Sequence, residues 1–234
     1  MILEPGEIHI WSATIDERYE KLLTNSFLSV NEKRNAARYT YDIDTYLYTV
    51  RHNLLRIIIG YYHNCHPSKI KFNSNHYLKP HIVHPNTNIQ FNISASSNRF
   101  VAAFCQLQTI GVDIELIRQI DDIPQLINDY FTKEESDWVN AQTSDKMSSA
   151  FFQIWSKKEA LIKAIGKGLN IELNKIDVRS DTAIVNGERM WHLIPLNIFD
   201  DCAGAIAINN SNVIPSFFNT IDLLWDIPFL KIIP

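Results

Sequence analysis

The sequence predicts an α+β fold of two similar lobes, because one order of elements occurs twice along its 234 residues. Each half contains one long helical pattern followed by several short runs of β-prone residues. A chain of this length can bury one large core or two small cores that share an interface. We therefore expect a pseudo-twofold molecule with an N-terminal lobe over residues 1–106, a C-terminal lobe over residues 107–234 and a functional site between them.

In the first half, apolar residues recur at helical spacing over residues 42–62, and an aspartate can cap the start of this pattern. The spacing predicts a long helix. Three β-prone runs follow, at residues 70–72, 89–91 and 100–104, and clusters of Asn, Pro and Ser separate them. We expect each of these runs to form a strand.

The second half repeats this order with different residues. A helical pattern covers residues 146–165, and β-prone runs follow at 176–178, 189–192 and 203–208. The segment from residue 211 onward is apolar but contains three prolines. Because proline removes a backbone donor and restricts φ, we expect this segment to pack irregularly against the body of the molecule.

The composition argues against some classes of function and location. The formal net charge is −4 and the two signs of charge are interspersed, so we expect neither nucleic acid nor a membrane as a partner. No secretory signal is visible, and no apolar stretch is long enough to span a bilayer. Three widely spaced cysteines favour free thiols in a reducing compartment. We therefore expect a cytoplasmic protein.

The sharpest local signal is the run from Gly111 to Glu115, in which β-branched residues alternate with two carboxylates. Side chains two residues apart in a strand point to the same face, so Asp113 and Glu115 would present their oxygens together. Such a pair repels itself unless it binds a hard cation such as Mg²⁺. Taken alone, the same pattern is also typical of a solvated sheet face.

A second signal lies in the helical pattern of the second half. Glu159 and Lys163 are four residues apart and therefore neighbours on one helical face, beside several large apolar residues. One interpretation is a salt bridge on the helix surface. The other is a cleft in which the acid completes an oxygen shell around a cation and the lysine reaches a phosphate oxygen.

Five motifs in a fixed order resemble the 4′-phosphopantetheinyl transferase superfamily, specifically its larger monomeric class, which includes the surfactin-synthetase activator. The motifs are far more specific together than any one of them is alone. They are Tyr77-Leu78-Lys79-Pro80, Phe91-Asn92-Ile93-Ser94, Gly111-Val112-Asp113-Ile114-Glu115, Phe131-Thr132-Lys133-Glu134-Glu135, and Trp155-Ser156-Lys157-Lys158-Glu159-Ala160 with Lys163 and Gly166-Lys167-Gly168-Leu169.

The resemblance implies a pseudo-twofold, duplicated two-lobed 4′-phosphopantetheinyl transferase fold and an enzyme that acts as a monomer. It implies a transferase of the holo-[acyl-carrier-protein] synthase type, which moves the 4′-phosphopantetheine arm of coenzyme A to a serine of an acyl- or peptidyl-carrier protein. Coenzyme A is then the co-substrate, adenosine 3′,5′-bisphosphate the second product and Mg²⁺ the cofactor.

By position, the resemblance identifies Asp113, Glu115 and Glu159 as ligands of Mg²⁺, which would bridge to the pyrophosphate of coenzyme A and bring Asp113 beside it. Lys158 and Lys163 would be neighbours of the phosphates. Glu159 and Lys163 would be the catalytic residues. Glu159 would take the proton of the carrier serine directly or through water, with water at the metal as the rival base.

Further residues of the same motifs correspond to the nucleotide side of coenzyme A. In the family, a Lys-Pro pair lies against the nucleotide, a Phe-Asn-Ile-Ser segment begins the contacts to the phosphates, and an early basic stretch anchors the 3′-phosphate. The corresponding residues are Lys79 and Pro80, Asn92 and Ser94, and Lys33 and Arg38.

Two residues depart from the family pattern. Ala95 stands where the family has a histidine after Phe-Asn-Ile-Ser, and Leu78 stands where it has a glycine before Lys-Pro. Losing the histidine would weaken coenzyme A binding by about 1.5–3 kcal/mol if nothing replaces it. These departures leave open a relative that binds carrier protein with impaired turnover. An unrelated metal-dependent phosphohydrolase is a further alternative.

Overall fold

We describe the protein from a computed structural model, which covers residues 1–24, 26–168, 171–185, 187, 189–210 and 212–226. The elements of the first half are β1 (Glu7–Thr14), α1 (Lys21–Thr24), α2 (Val30–Ala36), α3 (Asp42–Tyr62), β2 (Lys71–Ser74), β3 (Pro80–His84), β4 (Ile89–Ser96) and β5 (Arg99–Gln106). Helix α3 and strands β2, β4 and β5 confirm the sequence prediction for this half.

The second half again contains a long helix and several strands. Its elements are β6 (Ile110–Leu116), α4 (Ile123–Tyr130), α5 (Lys133–Asn140), α6 (Ser144–Ile165), β7 (Thr182–Val185), β8 (Arg189–Pro195), β9 (Cys202–Ile208), β10 (Ile214–Asn219) and α7 (Thr220–Asp226). Helix α6 and strands β8 and β9 lie where the sequence predicts them. The mixture of helices and strands confirms the α+β class.

Two four-stranded sheets form the body of the molecule, with strand orders β10-β1-β5-β4 and β6-β9-β8-β7. Strand β5 is antiparallel to β1 and β4, and β9 is antiparallel to β6 and β8. Strands β1 and β6 therefore occupy equivalent places, as do β5 and β9, and β4 and β8. This shared order agrees with the internal repeat that the sequence predicts.

Helices α3 and α6 each cover one sheet. Leu54 and Ile57 of α3 are fully buried in a core with the first sheet, and Leu161 and Ala164 of α6 are fully buried in a core with the second. A third core joins the two sheets to each other. It includes Ile8, Ile10, Val101, Val112, Ile114 and Ile206. The two sheets therefore pack against each other through this shared apolar core. Among the described residues, no helix has the combination of length and apolar character that a bilayer span needs.

The C-terminal segment departs from the predicted lobe of residues 107–234. Strand β10 leaves the second half and pairs in parallel with β1. Helix α7 follows, and its Leu223 and Leu224 are buried in the core of the first sheet. These residues therefore belong with the first sheet and form regular elements, because Pro215 is tolerated on an edge strand. Residues 227–234 lie outside the described part of the chain.

The run 176–178 does not form the predicted strand, because side chains bind its backbone groups. Lys158 Nζ donates to the carbonyl oxygen of Ile176 at 2.8 Å, and Glu135 Oε1 accepts from the amide of Val178 at 2.8 Å. These backbone groups are satisfied without a neighbouring strand. The edge strand of the second sheet is instead β7, a few residues later.

Candidate active site

Strands β4 and β6 lie side by side where the two sheets meet, and polar side chains of β4 join them. Asn92, Ser94 and Ser96 alternate along β4 and so face the same side. The side-chain oxygen of each accepts a hydrogen bond from a backbone amide of β6. The distances are 2.9 Å from Val112, 3.3 Å from Ile114 and 3.0 Å from Leu116. These three bonds fix the register of β6 against β4.

The two carboxylates of β6 face this junction. Ser94 Oγ donates to Asp113 Oδ1 at 2.9 Å, and Ser96 Oγ donates to Glu115 Oε2 at 3.2 Å. Asp113 is only 3% exposed, and Glu115 is half-buried. A solvated sheet face would leave both carboxylates in water, so that interpretation of the motif is wrong.

Helix α6 brings Glu159 and Lys163 to the same place. Lys163 Nζ contacts Asp113 Oδ1 at 2.7 Å and donates to Ser94 Oγ at 3.0 Å. Glu159 lies one turn earlier on the same side of the helix and is half-buried. Lys163 therefore pairs with a carboxylate of the facing strand, which supports the cleft rather than the surface salt bridge.

The three acids influence one another electrostatically. Burial raises the pKa of Asp113, and the Lys163 ammonium opposes that rise. Burial also raises the pKa values of Glu115 and Glu159, and the charge of Asp113 adds to the rise in both. Negative charges thus repel one another at this site, and a bound cation would relieve the repulsion.

Gly111 allows strand β6 to approach helix α6 closely. A β-carbon at this position would lie 2.1 Å from the carbonyl oxygen of Ala160 and 2.3 Å from the amide nitrogen of Ala164. Both atoms belong to the helix backbone, which cannot yield without distorting the helix. The glycine is therefore needed for the packing that sets Glu159 and Lys163 beside the strand.

The chemistry of the acidic residues fits a hard cation such as Mg²⁺. Asp113, Glu115 and Glu159 offer only oxygen donors, which Mg²⁺ prefers. The buried Asp113 Oδ2 also has no hydrogen-bond partner in the described structure, which is unusual for a buried polar atom. Within that same part of the chain, no three His, Cys, Asp or Glu side chains form a group that could hold a metal. The assignment of the three acids as metal ligands therefore stays a prediction.

A pocket of about 220 Å³ lies beside Lys163. Pro80 and Asn92 line it from the first half of the chain, and Ile162 and Lys163 line it from α6. Lys163 also contacts Asp113, so this lysine links the pocket wall to the acidic residues. The structure thus brings the predicted nucleotide-side residues Pro80 and Asn92 next to the predicted catalytic residue Lys163.

Lys79 lines this pocket with its aliphatic stem, but its ammonium group turns into the protein. Lys79 Nζ donates to the carbonyl oxygens of Ile110 and Ala164, each at 3.0 Å. Burial lowers the pKa of Lys79 to about 8. The ammonium therefore holds the two halves of the chain together, and the stem is the part of Lys79 that can touch a ligand.

Lys158 does not lie with these residues, contrary to the prediction that it neighbours the phosphates. Its side chain is fully buried, Nζ pairs with Glu135 at 2.8 Å, and Nζ also donates to the carbonyl oxygen of Leu173 at 2.8 Å. Consecutive residues on a helix are about 100° apart, so Lys158 and Glu159 point to different sides of α6. We did not predict from the sequence that Glu135 pairs with Lys158. The Phe-Thr-Lys-Glu-Glu motif, which ends in Glu135, was the signal that could have indicated this partner.

Ser94 also differs from the prediction, because its hydroxyl is fully used within the protein. It donates to Asp113 and accepts from Lys163 and from the amide of Ile114. These bonds use the one donor and both acceptor positions of a hydroxyl. Ser94 therefore positions Asp113 and Lys163, and a direct phosphate contact would require one of these bonds to break.

Lys33 and Arg38, predicted at the 3′-phosphate, are exposed residues of the first half. Lys33 lies on α2, and Arg38 lies just after that helix. Arg38, together with Tyr39 and Tyr48, lines a concavity of about 350 Å³ that is distinct from the pocket beside Pro80. Their role as an anchor of the 3′-phosphate stays a prediction.

Comparison with known proteins identifies the family to which this chain belongs. Residues 109–199, which include β6 and α6, match the model of the 4′-phosphopantetheinyl transferase superfamily. The chain is 26% identical over 225 residues to the 4′-phosphopantetheinyl transferase HetI of Nostoc sp. (strain PCC 7120), covering 94% of each chain. It is 32% identical over 154 residues to the 4′-phosphopantetheinyl transferase Sfp of Bacillus subtilis (strain 168), covering 66% of this chain and 67% of Sfp. It is 35% identical over 153 residues to the 4′-phosphopantetheinyl transferase gsp of Aneurinibacillus migulanus, covering 64% of this chain and 62% of that relative. The chain therefore belongs to the 4′-phosphopantetheinyl transferase superfamily.

Proposed function

We propose that this chain transfers the 4′-phosphopantetheine arm of coenzyme A to a serine of an acyl- or peptidyl-carrier protein, with Mg²⁺ as cofactor. The finer assignment within the family is the holo-[acyl-carrier-protein] synthase type. The observation that carries the proposal is the meeting of strand carboxylates with Glu159 and Lys163 at the junction of the two sheets. This arrangement occurs in a chain that belongs to the transferase family.

In the proposed reaction, the serine hydroxyl of the carrier attacks the β-phosphorus of coenzyme A, which bears the pantetheine arm. A P–O bond forms to the serine oxygen, and the P–O bond to the bridging oxygen of the pyrophosphate breaks. Adenosine 3′,5′-bisphosphate leaves with that bridging oxygen. The proton of the serine hydroxyl passes to a base at the site.

Each residue of the site has a task in this reaction. Asp113, Glu115 and Glu159 would hold Mg²⁺, which when bound offsets the negative charge of the pyrophosphate. Lys163 brings a further positive charge to the same place, which favours phosphate oxygens there. Glu159 would provide the carboxylate that accepts the serine proton directly or through water. Ser94 keeps Asp113 and Lys163 in register.

The proposal extends to the setting in which the enzyme works. We assign it to the cytoplasm as a monomer, and the three cysteines, which are free thiols, suit a reducing compartment. The carrier would dock along the segment between Phe131 and Trp138 and the Gly166-Lys167-Gly168-Leu169 edge. Lys133 and Lys167 are exposed there and would steer the acidic surface of a carrier. Leu169, at the end of this edge, lies outside the described residues.

The test is transfer of a labelled coenzyme A arm to an apo-carrier protein. Wild-type protein should modify the carrier with Mg²⁺ and should fail with a chelator. Asp113→Asn should lower the rate by about 10²-fold or more, because it removes a charged oxygen donor from the site. Glu172→Gln, which alters an exposed acid of the same half, should leave the rate unchanged. Near wild-type transfer by Asp113→Asn at saturating Mg²⁺ would contradict the metal assignment.

A carrier-binding relative with impaired turnover is the second candidate, and Ala95 favours it. Ala95 is exposed on β4, two residues after Ile93, which lines the pocket. In that case the carrier would bind but receive no arm at any Mg²⁺ concentration. A phosphohydrolase would instead cleave coenzyme A without a carrier. The same labelled assay separates the three outcomes.

A further inference from the structure

Two turns, one from each half of the chain, hold the backbone around Glu115. Ser96 ends β4 and begins the turn to β5. Its side-chain oxygen donates to Glu115 Oε2 at 3.2 Å and accepts from the amide of Leu116 at 3.0 Å. Asp201 ends the turn between β8 and β9, and its backbone oxygen accepts from the amide of Ile117 at 2.9 Å. Glu115 therefore lies where a turn of the first half and a turn of the second half approach strand β6.

A bidentate ion pair joins these two turns directly. Arg99 Nε donates to Asp201 Oδ1 at 3.2 Å, and Arg99 Nη2 donates to Asp201 Oδ2 at 2.7 Å. Arg99 is the cross-strand partner of Ser96 in the hairpin of β4 and β5. Two parallel bonds between planar groups fix both the distance and the orientation of those groups. The pair of Arg99 and Asp201 thus sets the separation of the two turns that hold the backbone beside Glu115.

The guanidinium group of Arg99 is held from several directions. Nη1 donates to Thr14 Oγ1 at 3.4 Å and to Asn98 Oδ1 at 3.2 Å, and the guanidinium carbon lies 5.4 Å from the centre of the Phe199 ring. The side chains of Arg99 and Asp201 are nevertheless 22% and 44% exposed. Ion pairs with such exposure contribute little to stability, because water and salt screen them. An arginine oriented in this way affects the geometry of the site more than the stability of the fold.

Glu115 depends on support from these turns more than Asp113 does. In the described part of the chain, Asp113 is only 3% exposed and receives hydrogen bonds from the side chains of Ser94 and Lys163. Glu115 is half-buried, lies one residue before the end of β6 and receives a side-chain hydrogen bond from Ser96. The position of the Glu115 carboxylate therefore follows the position of Ser96.

We infer that Arg99 and Asp201 are positioning residues that hold the Glu115 carboxylate in place for Mg²⁺. The inference rests on the proposed function, since it takes Glu115 as a ligand of the metal. Mg²⁺ requires nearly ideal octahedral geometry, so a carboxylate that moves freely binds it less tightly. Groups that orient metal ligands change metal affinity without touching the metal, and this pair can do so through Ser96 and the end of β6.

The test replaces Arg99 with glutamine and measures metal binding separately from transfer. Mn²⁺ serves as the probe, because it prefers the same oxygen ligands as Mg²⁺ and its binding can be followed by electron paramagnetic resonance. The Kd of Arg99→Gln for Mn²⁺ in the presence of coenzyme A should rise about ten-fold, the lower end of the range for groups that orient metal ligands. The rate of arm transfer should fall in the same proportion at subsaturating Mg²⁺ and recover at saturating Mg²⁺. The Tm should fall by no more than about 2–4 °C.

Arg179 provides a matched control. Its Nε and Nη2 donate to the two carboxylate oxygens of Asp177 at 3.0 and 2.7 Å, and the two side chains are 40% and 41% exposed. These residues are two apart in one segment, so their pair does not connect the two halves of the chain. Arg179→Gln should leave both the Kd for Mn²⁺ and the transfer rate unchanged. Asp201→Asn should behave like Arg99→Gln, and the double variant should be no worse than either single one, because each change removes the same pair.

Two outcomes would overturn the inference. One is equal Mn²⁺ affinity in wild type and Arg99→Gln. The other is a further loss of affinity when Arg99→Gln is added to Glu115→Gln, because the pair would then act on a group other than Glu115. A wild-type protein that binds neither Mn²⁺ nor coenzyme A would refute the proposed function, and the inference with it, so the two failures are distinguishable.

Discussion

At the level of single residues, Ser94 shows how one hydroxyl can order a charged site without adding charge. It links the carboxylate of Asp113 to the ammonium of Lys163 and takes its own orientation from the amide of Ile114. The backbone of β6 therefore determines where two charged side chains lie. A serine predicted from its motif as a direct ligand of phosphate acts in this structure on the groups that surround it.

Glu159 carries a cost to stability that depends on pH. Its pKa in the folded protein lies above the usual 4.5, because it is buried near Asp113. Above the folded pKa, the carboxylate is ionised in both the folded and the unfolded state, and the folded state bears the full penalty. Below the usual value, the group is protonated in both states and the penalty is absent. Glu159 therefore lowers the free energy of unfolding as the pH rises from the usual value of 4.5 through the higher pKa of the folded protein.

Replacing the charge of Glu159 should remove this cost. We expect Glu159→Gln to have a higher Tm than wild type at pH 7 in the presence of a chelator, and the difference should disappear at about pH 4. Thermal denaturation at the two pH values measures both effects. Glu172→Gln, which changes an exposed acid paired with Lys175, should alter neither Tm. A lower Tm for Glu159→Gln at pH 7 would show that attraction to Lys163 outweighs burial and repulsion.

At the level of elements, the close contact of β6 with α6 should be sensitive to a single methyl group. Gly111→Ala would place its β-carbon against the backbone of α6 and should cost at least about 3 kcal/mol of unfolding free energy. Gly204→Ala, on neighbouring β9, would meet the side chain of Ile114 at 3.0 Å and should cost less. Denaturant titration of the two variants measures the difference. Equal costs would show that the helix can shift away from the strand.

The long helices were predictable because their periodicity is local. Helix α3 covers residues 42–62 as the apolar spacing predicts, and α6 begins two residues before its predicted start. The run 176–178 has the composition of a strand, but the distant pair of Lys158 and Glu135 binds its backbone. Strand β10 was missed for a related reason, since its partner β1 lies at the other end of the chain. A local pattern of apolar and polar residues does not indicate such contacts between distant parts of the chain.

Part of the candidate site was predictable from spacing alone. Strand alternation predicts that Asp113 and Glu115 share a face, and helical spacing predicts that Glu159 and Lys163 do so. The direction of Lys158 could not be obtained from its motif, because its partner Glu135 lies on another helix. The turn over residues 75–79, in which the side-chain oxygen of Asn75 accepts hydrogen bonds from the amides of Tyr77 and Lys79, was also not predicted. Asparagine is common in polar loops, so its presence did not indicate this turn.

At the level of the whole molecule, β10 ties the end of the described chain to its beginning. Phe218 of β10 stacks on Trp11 of β1 with ring centroids 4.7 Å apart and contacts the ring of His9 at 4.9 Å. The hydroxyl of Tyr62, at the end of α3, accepts a hydrogen bond from Trp11 Nε1 at 2.8 Å. The same hydroxyl is hydrogen-bonded to His9 Nδ1 at 2.9 Å. One aromatic cluster therefore joins β1, β10 and α3.

Removing one ring of this cluster should destabilise the molecule far from its active site. Phe218→Ala deletes a half-buried ring, and we expect a loss of about 2 kcal/mol in the free energy of unfolding. Phe217→Ala, one residue earlier and 57% exposed, should cost less than about 0.5 kcal/mol. Denaturation curves of both variants provide the measurement. Similar losses for the two would mean that β10 is held by its backbone pairing rather than by the aromatic cluster.

The parallel pairing of β10 with β1 also determines when the first sheet can be completed during synthesis of the chain. A ribosome releases β1, β4 and β5 first, but β10, which completes their sheet, emerges only after strands β6 to β9. Until then one edge of β1 remains open, and an open edge can pair wrongly with another chain. The segment from β6 to β9 thus connects β5 to β10, and the first sheet cannot be completed before this segment is synthesised. Among the described strands β10 is synthesised last, so one edge of β1 lacks its native partner for most of the synthesis of the chain.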